Sequence, residues 1–408
     1  MDDHGPPRER RGGLSFGGVW YALGMKKVVV LGGGMVGGVM AWDLCREEGL
    51  DVTLLDVREE NLAGASSRCG GRLRTVKADL SGPGAVARAV SGYDFVVGAL
   101  SSRLGYSALR QVIEAGKDYC DISFFAEDAL ALDGLAREKG VTAVVDCGVA
   151  PGMSNMLAGW GVSRLDRAGK VEIYVGGLPR ERVWPFEYKA GFSPWDVIEE
   201  YTRPSRVVEG GREVVKEALS EAELMDFAGV GTLEAFNTDG LRSLVRTLGV
   251  PEMVEKTMRY PGHIGLMKVF RHVGLFSEEA VEVPSADGGV ARVRPRDVIA
   301  RLMFPQWSYG PGEEDLTVMR VVVRGEKGGR ASSLRWDLLD FYDRSTGATS
   351  MSRTTGLACT AVARLVMGGV FKKPGVIPPE EIGKTAGMTE RVLGLLRERG
   401  VDYTEVAS

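Results

Sequence analysis

Through the first third of the chain, short apolar runs alternate with stretches of helical spacing. Val28-Val29-Val30-Leu31 is the first run, a helical pattern follows through Met40, Trp42, Leu44 and Cys45, and Val52-Thr53-Leu54-Leu55 is a second run ending at Asp56. The pattern then predicts a helix from Glu59 past Ala65, a strand over 73–76, a short helix over 84–90 and a strand over 95–100. A helix over 106–114, a fifth strand over 119–122, another helix and a sixth strand over 141–146 complete it. Continuous apolar runs of four to six residues suit strands covered on both faces, and their alternation with helices predicts a doubly wound parallel sheet.

Beyond Gly148-Val149-Ala150-Pro151-Gly152 the periodicity changes. The spacing predicts a helix over 153–165 and an alternating strand over 171–175. Longer, aromatic-rich strands and loops follow at 184–189 and 206–212, the second with a turn signal at Gly210-Gly211. Residues 318–324 and 334–343 alternate as antiparallel strands do. A run of small and apolar residues over 354–366 reads as a helix, Pro374, Pro378 and Pro379 punctuate a loop, and a charged helix over 390–399 has Thr389 as its expected N-cap.

The turn between the first strand and helix, Gly32-Gly33-Gly34-Met35-Val36-Gly37, fits G-x-G-x-x-G. Gly32 permits the tight turn, Gly34 lets the backbone approach a pyrophosphate, and Gly37 lets the helix pack closely on the strand; Met35 and Val36 lie at the helix N-terminus that would hold the phosphates. Asp56 follows about twenty residues later, where an acid accepts hydrogen bonds from a ribose 2′-hydroxyl. Asp79 and Leu80, after the third strand, are expected beside the adenine. Ala99, Leu100 and Ser101, at the exit of the fourth, are expected near the phosphates or the second ribose. A carboxylate at Asp56 repels a 2′-phosphate and favours NAD; Arg58 nearby leaves NADP as the less favoured choice. The expected architecture is therefore α/β. It has a disordered leader at 1–24, a Rossmann domain at 25–150, an α+β substrate and dimerisation domain at 151–345, and a segment at 346–408 returning to the Rossmann domain.

Composition narrows the function classes. The net charge is −4 over 408 residues with no basic stripe, which gives nucleic-acid binding no support. No apolar run is long enough to span a bilayer. The five cysteines are scattered without a C-x-x-C pair, which argues against a zinc knuckle or disulfide framework and for a reducing cytoplasm; no metal site is expected. The leader lacks the apolar segment of a secretory signal, and Met25 is a candidate start.

Several segments together resemble the saccharopine dehydrogenase family. They are the glycine turn with Ala41-Trp42-Asp43-Leu44, Asp121-Ile122-Ser123-Phe124, and Asp146-Cys147-Gly148-Val149-Ala150-Pro151-Gly152-Met153-Ser154-Asn155. Further on come Tyr174-Val175-Gly176-Gly177-Leu178-Pro179, Glu200-Tyr201-Thr202-Arg203-Pro204, Asp239-Gly240-Leu241-Arg242-Ser243 and Met258-Arg259-Tyr260-Pro261-Gly262-His263. Met351-Ser352-Arg353-Thr354-Thr355-Gly356 and Gly375-Val376-Ile377-Pro378-Pro379-Glu380 complete the set, which covers nearly everything from Met25 onward. The resemblance implies a second domain that also forms a subunit interface, hence a homodimer or larger homo-oligomer. Through Gly176–Pro179 and Tyr201–Pro204 it leans to the lysine 6-dehydrogenase branch, which implies NAD-dependent oxidation of lysine's ε-amine to allysine, with ammonia released and piperideine-6-carboxylate formed by cyclisation. Saccharopine or carboxynorspermidine dehydrogenase chemistry is the alternative within the family, and a dinucleotide-binding regulator without turnover is the non-enzymatic one.

Such a reaction needs a cationic anchor for a carboxylate and a base to deprotonate the ammonium. Arg242, Arg259 and Arg203 are the candidate anchors, since arginine offers a bidentate fork; an ordinary salt bridge is the competing role for each. His263, after a Pro-Gly turn, is the candidate acid–base group because a histidine normally titrates near neutrality, with a structural histidine as the alternative. Asp121, at the end of a parallel strand, could bind or deprotonate the ammonium, or simply cap the next turn. Asp239 shares that ambiguity. Tyr260 could donate to substrate or serve as a buried aromatic. Cys147 has no adjacent base, and His272 reads as part of a helix.

Overall fold

The computed structural model describes residues 25–406. The expected leader at 1–24, with His4, lies outside those residues.

The first domain runs β1 (Lys26–Leu31), α1 (Met35–Leu44), β2 (Leu50–Asp56), α2 (Glu59–Arg68), β3 (Arg74–Lys77), α3 (Ala85–Val90), β4 (Phe95–Gly98), α4 (Ser102–Glu114), β5 (Asp118–Asp121), α5 (Asp133–Glu138) and β6 (Thr142–Val144). These strands lie side by side in the order β6-β5-β4-β1-β2-β3, all parallel. Reversal of strand order between β1 and β4 opens the crevice at which such sheets bind ligands. Val28 and Val30 enter one core and Val29 and Leu31 the other, so β1 is covered on both faces, as its unbroken apolar run requires.

The second domain runs α6 (Met153–Ser163), β7 (Arg167–Pro179), α7 (Pro194–Thr202), β8 (Ser205–Glu209), β9 (Arg212–Lys216), β10 (Glu223–Phe227), β11 (Gly231–Asn237), α8 (Leu244–Thr247) and β12 (Glu252–Arg259). It continues with α9 (His263–His272), the hairpin β13 (Val281–Pro284) and β14 (Val290–Val293), α10 (Pro295–Trp307), β15 (Asp315–Lys327) and β16 (Arg330–Phe341). A mixed sheet forms its body. β7 pairs antiparallel with β15 and parallel with β12, and β8 and β9 form a hairpin about Gly210-Gly211, so the run read at 206–212 is the end of one strand, the turn and the start of the next. Of the strands and loops expected here, the run at 184–189 is a turn and loop. Pro185 has no N–H to give a ladder, and Glu187 sits at φ +48°, outside the strand region.

The C-terminal segment holds α11 (Ser350–Met367), β17 (Gly375–Ile377), α12 (Pro379–Gly383), α13 (Met388–Arg397) and β18 (Tyr403–Val406). The proline-punctuated loop expected at 374–379 instead contains β17, which pairs parallel with β6 as a seventh strand, and the start of α12. Three residues are too few for a periodic signal, and flanking prolines suit an edge position. Thr389 is not a cap; Gly387 takes that position, and Thr389 lies buried inside α13. β18 leaves the first domain altogether and pairs with β16 in the mixed sheet.

α11 is the keystone of the interior, with sixteen of its eighteen residues buried. Small residues allow the close approach: a Cβ on Gly356 would press against Met40 of α1 at 3.0 Å. Arg364 of α11 pairs with Asp43 of α1 at 2.7 Å, each side chain 1% exposed, and Arg399 holds the other Asp43 oxygen at 2.7 Å. Thr360 donates to Asp43 as well. Two guanidinium groups outweigh the cost of burial and hold the Asp43 carboxyl below its usual range. Removing one partner from a buried network of this kind leaves an uncompensated charge and is strongly destabilising.

Candidate active-site cleft

The dinucleotide half of the site follows from backbone geometry. Gly32 takes φ +95°, and a Cβ there would lie 2.5 Å from the Ala99 carbonyl oxygen. A Cβ on Gly37 would collide with the Gly32 carbonyl oxygen, so α1 can sit this close to β1 only without one. On Gly34 a Cβ would meet no atom within 4 Å, which leaves that face of the turn open to a ligand. Asp56 receives the Gly33 N–H at 2.6 Å and the Asn61 amide at 3.1 Å on one oxygen, and the Arg58 N–H at 2.7 Å on the other. The turn, Met35 and Val36 at the start of α1, and Asp56 therefore form one unit suited to a dinucleotide. Ala99 and Leu100 border the turn, and Ser101 caps α4. Asp79 accepts from the Ser81 N–H and hydroxyl, which lowers its pKa, and Leu80 is buried in the core beneath.

Opposite this turn, the second domain reaches the exits of β4, β5 and β6. Ser102, next to Ser101, donates to Asp196 of α7 at 2.9 Å. Phe124, on the exit of β5, carries the Arg203 guanidinium 5.2 Å from its ring centre and that of Arg242 at 4.8 Å. Arg242 pairs with both oxygens of Asp146, at 3.2 and 3.3 Å, with each side chain 6% exposed. Both residues take positive φ, +52° and +50°. Such backbone costs about 1–3 kcal/mol per residue and persists where the surroundings over-determine it, as they do at this contact between domains. Arg203 is less satisfied. Its Glu199 contact is 3.8 Å long, and its Nη1 is buried without a hydrogen-bond partner.

Asp121 is fully buried at the end of β5. One oxygen accepts from the Ser123 N–H and hydroxyl, and the other has no partner; burial and the charge of Asp146 push its carboxyl up to about 6. Asp239 binds Arg206 through both oxygens, at 2.8 and 2.9 Å. Arg259 is 2% exposed, paired with Glu200 at 3.0 Å, bonded to Tyr201 and the Met258 carbonyl, and stacked on Tyr188. Tyr260 donates to the Pro179 carbonyl at 3.0 Å.

His263 corrects the expectation of a histidine titrating near neutrality. The Phe186 carbonyl can only accept, so Nδ1 carries the proton and donates to it at 2.8 Å, leaving Nε2 to accept from the Tyr201 hydroxyl at 2.9 Å. Burial and the Arg259 charge depress its pKa to about 3. Both nitrogens are used inside an aromatic cluster with Tyr188 and Trp307. His272 ends α9, and Cys147 lies in the main core.

Three acids near the cleft escaped the sequence reading. Asp196 and Glu200 lie on α7 at the spacing i, i+4, with Arg203 at i+7, a pattern visible in the sequence had this stretch been read as a helix. Glu255 lies in β12, whose alternation is masked by buried polar residues. Its Oε2 accepts from the Thr238 hydroxyl at 2.6 Å and the Gly240 N–H at 3.0 Å, so it secures the loop that presents Arg242. Burial, together with Glu200 and Asp239, pushes Glu255 up to about 8. Asp196 is raised by burial, and Glu200 is pushed up to about 6.

The charges around the cleft do not balance. Asp239, Asp146 and Glu200 are matched by Arg206, Arg242 and Arg259. Asp121 and Asp196 have no ion-pair partner among the described residues, Glu255 has none either but is pushed up to about 8 and so is uncharged at neutral pH, and of the four arginines Arg203 is the one with a buried nitrogen that lacks a hydrogen-bond partner. Such a site favours a ligand with more positive than negative groups to place. Among the described residues no cluster of three or more His, Cys, Asp or Glu is placed to hold a metal, and no helix is long and apolar enough to cross a membrane.

Comparison with known proteins yields two family models. One described as the saccharopine dehydrogenase NADP binding domain matches residues 28–144, and one described as the saccharopine dehydrogenase C-terminal domain matches residues 148–401. Mitochondrial alpha-aminoadipic semialdehyde synthase of Mus musculus is 23% identical over 92% of this chain and 46% of its own length, so the chain spans about half of that relative. Saccharopine dehydrogenase [NADP(+), L-glutamate-forming] of Schizosaccharomyces pombe is 22% identical over 88% of this chain and 94% of its own. The apo structure of saccharopine dehydrogenase (L-Glu forming) from Saccharomyces cerevisiae superimposes with a TM-score of 0.77 at 17% identity, covering 94% of this chain and all of that one, which shows a shared fold.

Proposed function

The chain belongs to the saccharopine dehydrogenase family, and from that premise we propose that it oxidises the ε-amine of free L-lysine to allysine and ammonia, with a dinucleotide as hydride acceptor. The observation that carries this reading is the charge imbalance of the cleft. Lysine brings one carboxylate and two ammonium groups. Arg203 Nη1 is buried without a partner, and two acids of the cleft, Asp121 and Asp196, lack a cation. Saccharopine brings three carboxylates and would call on arginines already paired with Asp239, Asp146 and Glu200.

In this proposal Arg203 holds the α-carboxylate, with its plane set by Phe124. The Asp146–Arg242 pair joins the exit of β6 to the second domain, and Asp196 fixes α7 against Ser102. These contacts bring the amine-bearing end of a substrate toward the strand exits and exclude water from the reacting carbon. A bound oxidised dinucleotide supplies the hydride acceptor. Hydrolysis of the resulting imine releases ammonia, and allysine cyclises to piperideine-6-carboxylate.

For the cofactor, the Asp56 carboxylate beside the ribose position supports NAD. Arg58, and the NADP(+) in the names of the relatives, support NADP. We take NAD as the working choice. The test is reduction of NAD and of NADP with lysine alone and with saccharopine alone, followed by absorbance of the reduced dinucleotide. Turnover with lysine is the expected result. Turnover confined to saccharopine would replace this reading with that of the relatives, and dinucleotide binding without turnover on either would point to a regulator.

A further inference from the structure

α7 and the residue that follows it reach two exits of the parallel sheet. At its start Asp196 takes the Ser102 hydroxyl beside the β4 exit, and just past its end Arg203 covers Phe124 on the β5 exit. Residues four apart share a helix face. Asp196 and Glu200 share one face of α7 and Arg203 follows at its extended C-cap, so Glu200 stands between the two anchors along the chain, toward the crevice where a dinucleotide's reactive end meets substrate in such sheets. Its side chain is 20% exposed, so it is set into the wall without being sealed. Arg259 holds Oε2 from behind at 3.0 Å. His263, by contrast, has no free nitrogen, and Asp121 is fully enclosed.

We propose that Glu200 is the base that takes the proton from the substrate ammonium before hydride departs, an inference that rests on the amine-oxidising reading above. The N–H bond breaks, its electron pair stays on nitrogen, and the proton passes to a Glu200 oxygen. The freed lone pair then makes the C=N bond as the adjacent C–H pair leaves as hydride. The groups facing Glu200 set its readiness. Arg259 on β12 and Arg203 just after α7 favour its charged form, whereas Glu255 on β12, Asp196 on α7 and burial oppose it; Tyr188 and Tyr201 flank the Arg259 side. Arg296 of α10 engages the neighbouring Glu199 instead. The balance leaves Glu200 ionised at neutral pH yet basic enough to accept a proton.

Glu200→Gln keeps the size of the side chain and an oxygen for Arg259. The pH profile of kcat is measured with lysine for wild type, Glu200→Gln and Glu200→Asp, alongside dinucleotide affinity by fluorescence titration and Tm. Wild type is expected to lose activity as pH falls through about 6. Glu200→Gln is expected to lose that acid limb and about 10²–10⁴-fold in kcat with dinucleotide affinity unchanged, and Glu200→Asp to keep a limb at lower rate. A Gln variant within about threefold of wild type that keeps the limb overturns the proposal. If the Gln variant does not fold, the Asp variant decides: a displaced limb supports the assignment, and an unmoved one overturns it. Should wild type act only on saccharopine, the lysine reading fails, but the same profiles with saccharopine still decide the role of Glu200, because its secondary ammonium must lose a proton too. No turnover with either substrate overturns both.

Discussion

Replacing Glu255 with Gln should make the protein more stable in alkali and leave it nearly unchanged in mild acid. The carboxyl is 3% exposed, has no cation beside it, and is pushed from 4.5 to about 8 by burial, Glu200 and Asp239 against the hydrogen bonds of Thr238 and Gly240. The folded state thus holds a proton that the unfolded chain releases above about pH 4.5. Stability falls as pH rises between those two values, because there the folded state binds more protons than the unfolded one. Each pH step of one removes about 1.4 kcal/mol, roughly 5 kcal/mol in all by pH 8, an upper bound because ionised Glu255 can draw in water. A glutamine has nothing to ionise, and its amide oxygen can accept from both Thr238 and Gly240. Thermal denaturation of wild type and Glu255→Gln from pH 5 to pH 9 checks this through the difference between the two Tm values, which cancels titrating groups that do not interact with Glu255. The difference should start near zero and grow to several degrees in favour of the variant. A flat difference across the range would refute the buried, protonated carboxyl.

Gly37→Ala should abolish dinucleotide binding, since the new methyl has no room against the Gly32 carbonyl; calorimetric titration with retained affinity would contradict this. Arg364→Met leaves Asp43 buried with one guanidinium instead of two and should cost about 3 kcal/mol, read as a lowered urea midpoint. Asp56→Asn removes the charge while keeping an acceptor for the Gly33 N–H, and should raise the NADP-to-NAD ratio of kcat/KM about tenfold, equivalent to 1.4 kcal/mol; an unchanged ratio would move cofactor selection away from Asp56.

The parallel sheet was legible because its strands are covered on both faces and leave unbroken apolar runs, as in Val28–Leu31. The glycine turn was legible because each glycine answers a separate steric demand. β17 was not, since three residues between prolines carry no period, and at 184–189 aromatic richness did not separate strand from loop, a choice that Pro185 and Glu187 make in favour of a loop. In the cleft, Arg203, Arg242 and Asp121 were identifiable by residue type and position after a strand or turn. What type could not reveal was pairing. Asp146 occupies Arg242, Glu200 occupies Arg259, and Tyr201 with Phe186 occupies His263, all through partners 59 to 96 residues away.

The paths of β17 and β18 bear on how the protein comes into being. The nucleotide domain lacks its seventh strand and the cover over Met40 of α1 until residues 350–377 have been made, and the mixed sheet lacks its edge until 403–406. A nascent chain leaving the ribosome therefore carries two unfinished sheets at once, and its last sixty residues close both. A fragment cut at the apparent domain boundary near residue 146 would expose the apolar back of α1 to solvent. Separate expression of the two halves should give aggregation-prone material, whereas co-expressing the C-terminal segment in trans should rescue solubility.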